Sequence, residues 1–128
     1  VGCVLVDGLG RVRATGYNGP PRGFNHCTPE HPCGGAALLS GDGLELCEAV
    51  HAEQNALLQC PDVETIETCY VTTAPCVTCV KLLLNTSCRR ILFLEDYPHS
   101  AVSKNLWVVR GGREWVWAEP DRCASIGP

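Results

Sequence analysis

The run "TCYVTTAPCVTCVKLLL", residues 68–84, changes character in its middle. Its first seven residues are mostly β-branched, aromatic or small and read as a strand. Pro75 then fits the first position of a helix, where no backbone N–H is needed, and the helix is expected to run on through "CVTCVKLLLNTS". The next stretch, "RRILFLED", is a nearly continuous apolar run of the kind buried in a parallel sheet. Strand, helix and strand in this order predict an α/β architecture, and the rest of the chain extends it.

Working outward, "GCVLVD" and "VRATGYN" are β-rich runs joined by the turn "GLGR" and read as a hairpin. From Glu48 to Leu58 apolar residues recur at Val50, Ala52, Ala56, Leu57 and Leu58, which predicts a buried helix ended by Pro61. "SAVSKNLWVVRG" predicts a further helix, with Ser100 or Ser103 as its cap and Gly111 as its stop, and "EWVWAEP" a last strand. The expected order is strand, strand, helix, strand, helix, strand, helix, strand, around a parallel or mixed sheet. Residues 19–47 interrupt it as a long insertion rich in Pro, Gly, His and Cys, of a length that is unusual unless functional or tied down by a metal.

A chain of 128 residues suits one domain. With 45% hydrophobic residues, 19% charged residues and a net charge of −4, it reads as a soluble protein without the basic surface that nucleic-acid binding needs. No apolar run reaches the roughly 20 residues of a membrane span, and the start lacks the charged region of a signal peptide, so a cytoplasmic location is expected. The chain begins without Met inside what reads as a strand, which suggests a trimmed or incomplete N-terminus.

Ten cysteines raise the alternative of a disulfide scaffold. Nine of them fall instead into two styles. Cys3, Cys60, Cys69 and Cys88 stand alone in apolar runs and read as core, whereas Cys27, Cys33, Cys47, Cys76 and Cys79 stand beside His, Pro or another Cys and read as ligands. "VHAEQNALL" places His51 and Glu53 at one helix start, and Cys76 and Cys79 lie at another. His51, Cys76 and Cys79 would suit a zinc ion with one open position, the catalytic form of such a site. Helix N-termini lower thiol pKa and favour the thiolate ligands. Glu53 would then move a proton from zinc-bound water to a ring nitrogen and a leaving amine. Read singly, the Cys-x-x-Cys is a redox pair or half of a structural zinc site and the His a core residue; a redox motif leaves His51 and Glu53 without a role.

At these residues the chain resembles the cytidine and deoxycytidylate deaminase superfamily, and within it the deoxycytidylate deaminases. The likeness runs through "VGCVLVDGLGRVRATGYNGPPRGFNHC", "VHAEQNALL", "CYVTTAPCVTCVKLLL" and "RRILFLEDY". It implies a three-layer fold with a mixed five-stranded sheet flanked by helices, lacking the family's first helix. It also implies hydrolysis of dCMP to dUMP and ammonia, supplying dUMP for thymidylate synthesis. Deamination of another cytosine nucleoside, nucleotide or aminated heterocycle is the alternative reading, and a non-catalytic zinc module the third. The resemblance makes His51, Cys76 and Cys79 the zinc ligands and Glu53 the proton shuttle. It gives substrate contacts to Asn18, to the backbone of Ala52 and to Tyr97. Asn18 is equally readable as a turn residue and Tyr97 as an aromatic lid.

A monophosphate needs donors, and Arg22 is the candidate, with His99 behind it. The family also implies a hexamer controlled by dCTP and dTTP, with Mg2+ accompanying the effectors. Cys27, Cys33 and Cys47 with His26 or His31 would form a second, structural zinc site; the alternative is free cysteines in the loop. Metal analysis separates the two: a second site gives two zinc ions per chain, and its absence gives one zinc whose loss removes activity.

Overall fold

The computed structural model describes residues 1–23 and 49–118. Strands β1 (Gly2–Asp7) and β2 (Val12–Tyr17) form the expected antiparallel hairpin. Its turn is built by Asp7, whose carboxylate accepts from the backbone of Leu9 and Arg11, with Gly10 at φ 81°. Helix α1 (Ala52–Gln59) follows, then β3 (Ile66–Thr73), α2 (Val77–Leu84), β4 (Arg90–Glu95), α3 (Ser100–Lys104) and β5 (Glu114–Trp117). The sheet order is β2-β1-β3-β4-β5. The β1 strand is antiparallel to both neighbours, while β3, β4 and β5 run parallel. The class and the mixed five-stranded sheet are therefore those read from the sequence.

One face of the sheet carries the core. Cys3 and Leu5 on β1, Ala14 on β2, Cys69 and Val71 on β3, and Ile91 and Phe93 on β4 are buried with Ala52, Ala56, Val80, Leu83 and Trp107 of the helical segments. Period-2 alternation makes this one face. The other face leaves Tyr70 40% and Leu94 42% exposed, and a groove of about 460 Å3 runs across it past Val4, Tyr70, Leu92 and Leu94. So β4 is not buried on both sides as its apolar run suggested; among the described residues only Ile91 and Phe93 of "RILFLE" are fully enclosed.

Three local expectations change. Helix α1 starts at Ala52 because Val50 is held extended by two backbone hydrogen bonds with Gly19, of 2.7 and 3.1 Å. Pro75 stands one residue before the cap of α2, since Cys76 itself is the extended N-cap. Helix α3 is capped by His99, and Ser103 is buried; beyond it residues 105–110 widen into π-helical turns that end, as expected, at Gly111. A Cβ at Gly111 would lie 2.6 Å from the Trp107 carbonyl, so glycine is required where the helix stops.

Two contacts fix the helices that later matter. Arg113 reaches across to the end of α2, where its guanidinium donates to the carbonyls of Leu83, Leu84, Thr86 and Cys88 at 2.7–3.2 Å while lying 5.1 Å over the Trp107 ring. Leu83 and Leu84 are the last residues of α2, and the positive charge suits that end of the dipole. At the other helix, α1 lies so close to β2 that a Cβ on Gly16 would fall 2.5 Å from the Ala56 nitrogen and nearer still to the Ala52 carbonyl.

No helix among the described residues is long and apolar enough to cross a membrane. Cys3, Cys69 and Cys88 are reduced core residues as expected, Cys60 is half-buried, and burial pushes the Cys88 thiol up to about 12.

Because Gly16 faces backbone and not a flexible side chain, Gly16→Ala should cost about 1–3 kcal/mol of stability. Chemical denaturation would measure it, and an unchanged midpoint would contradict the close approach.

Candidate active site

Two helix starts converge at one edge of the sheet. His51 is the N-cap of α1, with φ −69° and ψ 153°, and Cys76 is the N-cap of α2, with φ −75° and ψ 170°. An N-cap side chain ordinarily spends its polar atom on the helix's free N–H groups. Here Gln54 takes up the reciprocal half of the cap: its Oε1 accepts from the His51 nitrogen at 2.9 Å. The imidazole is thus turned across to α2. Cys79, in the first turn of α2, completes the group.

His51 Nδ1 lies 3.3 Å from Cys79 Sγ and 3.4 Å from Cys76 Sγ, and the three donor atoms lie within 4.8 Å of one another. Bonds of about 2.0–2.3 Å to zinc imply tetrahedron edges of roughly 3.5 Å. The spacing and the one-nitrogen, two-sulfur donor set therefore fit zinc. The Glu53 carboxylate belongs to no such group among the described residues, although it is 4% exposed and reaches Cys79. Three protein donors would leave one corner of a tetrahedron for another ligand.

The electrostatics of the protein without metal follow from these contacts. The Cys79 thiol, the His51 ring and the Cys79 backbone all hydrogen-bond to Cys76, and they hold its thiol down to about 4 against the opposing effect of burial. Cys79 is correspondingly pushed up, first by donating to Cys76 and then by burial. His51 is raised, chiefly by its hydrogen bond to Cys76. Glu53 is raised mainly by burial, which moves its carboxyl toward the range of a group that both gives and takes a proton.

The remaining candidates divide. Ala52 is 1% exposed at the first position of α1, so its N–H is among those without an intrahelical partner. Tyr97 follows β4 at the same sheet edge, with its hydroxyl 2.9 Å from Ser103 Oγ. Its phenol is raised first by burial, and the charges of Cys76, Cys79 and Glu53 reach it. Asn18 is exposed at the end of β2, where its Oδ1 accepts from the Val1 amine at 2.7 Å. Arg22 lines a polar cavity of about 320 Å3 with Tyr17, Asn55 and Gln59, further along α1 than His51. His99 stands with its ring centroid 6.5 Å from that of Tyr97. His26, Cys27, His31, Cys33 and Cys47 lie outside the described residues. The sequence reading missed Gln54, which the three-residue capping spacing from His51 could have revealed, and the inward role of Ser103, for which no pattern existed.

The model of the cytidine and deoxycytidylate deaminase zinc-binding region matches residues 1–95. The chain is 41% identical over 101 residues to the deoxycytidylate deaminase of Mycobacterium phage D29, which covers 75% of this chain and 78% of that protein. It is 39% identical over 114 residues to the deoxycytidylate deaminase of Schizosaccharomyces pombe, covering 87% of this chain but only 35% of the yeast protein. In fold it resembles the dCMP deaminase of the cyanophage S-TIM5, crystallised with dCMP and dUMP. The TM-score is 0.60 at 24% identity, over 89% of this chain and 77% of that one.

A depressed Cys76 pKa means that the protein without metal carries a thiolate down to about pH 4; the stability it contributes is complete above pH 9.0, declines as pH falls and is gone below about 4. The difference in 240 nm absorbance between wild type and Cys76→Ala should show that thiolate at pH 6. A thiolate appearing only near pH 9 would contradict the geometry.

Proposed function

The chain belongs to the cytidine and deoxycytidylate deaminase family, and we propose from that premise that it hydrolyses dCMP to dUMP and ammonia, acting as one domain over residues 1–128. The observation that carries the reading is the three-donor group with a buried carboxylate beside it and outside it. Zinc, held by His51 Nδ1 and the sulfurs of Cys76 and Cys79, would supply the Lewis acidity that makes water a nucleophile near neutral pH.

The chain's own residues do the rest. Glu53 takes a proton from the attacking water and passes it to the pyrimidine ring nitrogen, then takes the proton of the new C4 hydroxyl and passes it to the departing amine, and so ends as it began. C4 gains an oxygen and loses ammonia, so one water is consumed for each dUMP formed. The free N–H of Ala52 would bind the pyrimidine carbonyl, and Tyr97 would wall the ring. Asn18 and Arg22 lie on the segment leading to α1, where an amide and a guanidinium would serve the sugar and phosphate. These substrate roles belong to the proposal.

So do the assembly and its regulation. A homo-oligomer accords with an exposed apolar groove of about 600 Å3 past Leu57, Leu58, Val63 and Leu82, which the described residues leave uncovered, while a hexamer with dCTP and dTTP as effectors follows from the family resemblance alone. A second zinc on Cys27, Cys33, Cys47 and His26, and Mg2+ with the effectors, follow from the family resemblance alone. The chain spans about a third of the length of its yeast relative, so the reading concerns this region of such a protein.

Purified protein given dCMP, deoxycytidine, cytidine and guanine should release ammonia fastest from dCMP and yield dUMP. A preference for a nucleoside would move the substrate, and turnover of none would leave a zinc module. Glu53→Gln should keep its zinc and lose about 10²–10⁴-fold in kcat, whereas Cys76→Ala should lose the metal. A Glu53→Gln protein of full activity would sink the mechanism.

A further inference from the structure

Ser103 is a polar residue with no exposure on a helix whose neighbours Ala101, Val102 and Lys104 face outward. An alanine would fill nearly the same space. Its hydroxyl has to regain inside the protein the hydrogen bond it gives up to water, and it does so with the Tyr97 hydroxyl at 2.9 Å. Tyr97 is itself half-buried, packs against the main core and opens the turn into α3, its carbonyl accepting from the Ser100 nitrogen at 3.1 Å. The residue is therefore held at both ends, by its backbone and by its hydroxyl.

Its position relates it to the centre. β3 and β4 are parallel and end together, Thr73 beside Glu95, and the Ala74 nitrogen donates to the Glu95 carbonyl at 2.8 Å. Two residues beyond Ala74 stands Cys76, and two beyond Glu95 stands Tyr97. The outer end of parallel strands is where α/β sheets bind ligands.

We propose that Ser103 is a positioning residue of the centre: its hydroxyl draws the Tyr97 hydroxyl into the fold, so that the ring, and not the phenol oxygen, meets a planar pyrimidine. An aromatic wall of this kind adds contact area and orientation without a competing hydrogen-bond donor. The proposal rests on the reading of the site as a pyrimidine deaminase. It differs from a general aromatic lid in requiring a partner on α3.

Steady-state kinetics with dCMP and calorimetric binding of dUMP, for wild type, Ser103→Ala, Tyr97→Phe and the double variant, test it. Each single change removes the same hydrogen bond. Each should raise KM and the dUMP dissociation constant about fivefold, with a smaller effect on kcat, and the double variant should be no worse than either single one. Tyr97→Leu, which removes the ring, should be worse by a further tenfold or so. Multiplying effects in the double variant, or a Ser103→Ala protein that melts earlier with KM unmoved, would overturn the proposal. Should Ser103→Ala fail to fold, Tyr97→Phe at the half-exposed end still decides: unmoved KM and dUMP affinity overturn it. A wild-type protein that neither turns over dCMP nor binds dUMP overturns the functional reading itself, and with it this one.

Discussion

Two helices of this protein have to begin within contact distance of each other, with His51 Nδ1 3.4 Å from Cys76 Sγ. Everything else in the described fold serves that meeting. The partial positive charge of both helix starts favours thiolate and carboxylate there, and water is largely shut out. Neither helix reaches the place alone. α1 is set by its lie along β2, where glycine is the residue that lets the backbones touch, and α2 by the parallel ladder of β3 and β4 beneath it. The chemistry thus depends on sheet register more than on the propensity of either eight-residue helix, each too short to be stable by itself.

How much of this was legible beforehand differs by residue. His51, Glu53, Cys76 and Cys79 were readable because their chemistry is unusual for helix starts and their spacings are local. The element order was readable because strand and helix periods alternate cleanly on either side of "TTAPC". The start of α1 was not, since the pairing of Val50 with Gly19 is a contact between distant segments that no local pattern carries. Ser103 was misread for a related reason. A serine near a helix start looks like a cap, and only the neighbouring Tyr97 hydroxyl explains why it turns inward. The alternation in β4 was masked by composition: large apolar side chains occupy both faces of the strand, Ile91 and Phe93 on one and Leu92 and Leu94 on the other, so burial could not be assigned from the sequence.

The two faces of the sheet also differ in kind. On the covered face thiols and aliphatic groups are packed to exclusion of water, and no buried side-chain polar atom among the described residues lacks a hydrogen-bond partner. The face bearing Tyr70, Leu92 and Leu94 is apolar without being enclosed by the described residues. Burial therefore places the whole reactive group on the helical side, where the same burial raises the pKa of the Glu53 carboxyl.

The clamp of Arg113 on the last carbonyls of α2 has a consequence for the order in which things assemble. A helix fastened by guanidinium bonds to its last two carbonyls and to two more in the segment that follows already points Cys76 and Cys79 at His51. An arriving ion meets ligands that need not be gathered, and little conformational freedom is lost on capture. The ion would then be exchangeable cargo of a standing scaffold and not the nucleus around which that scaffold forms, in contrast to small zinc domains whose folding and loading are a single event.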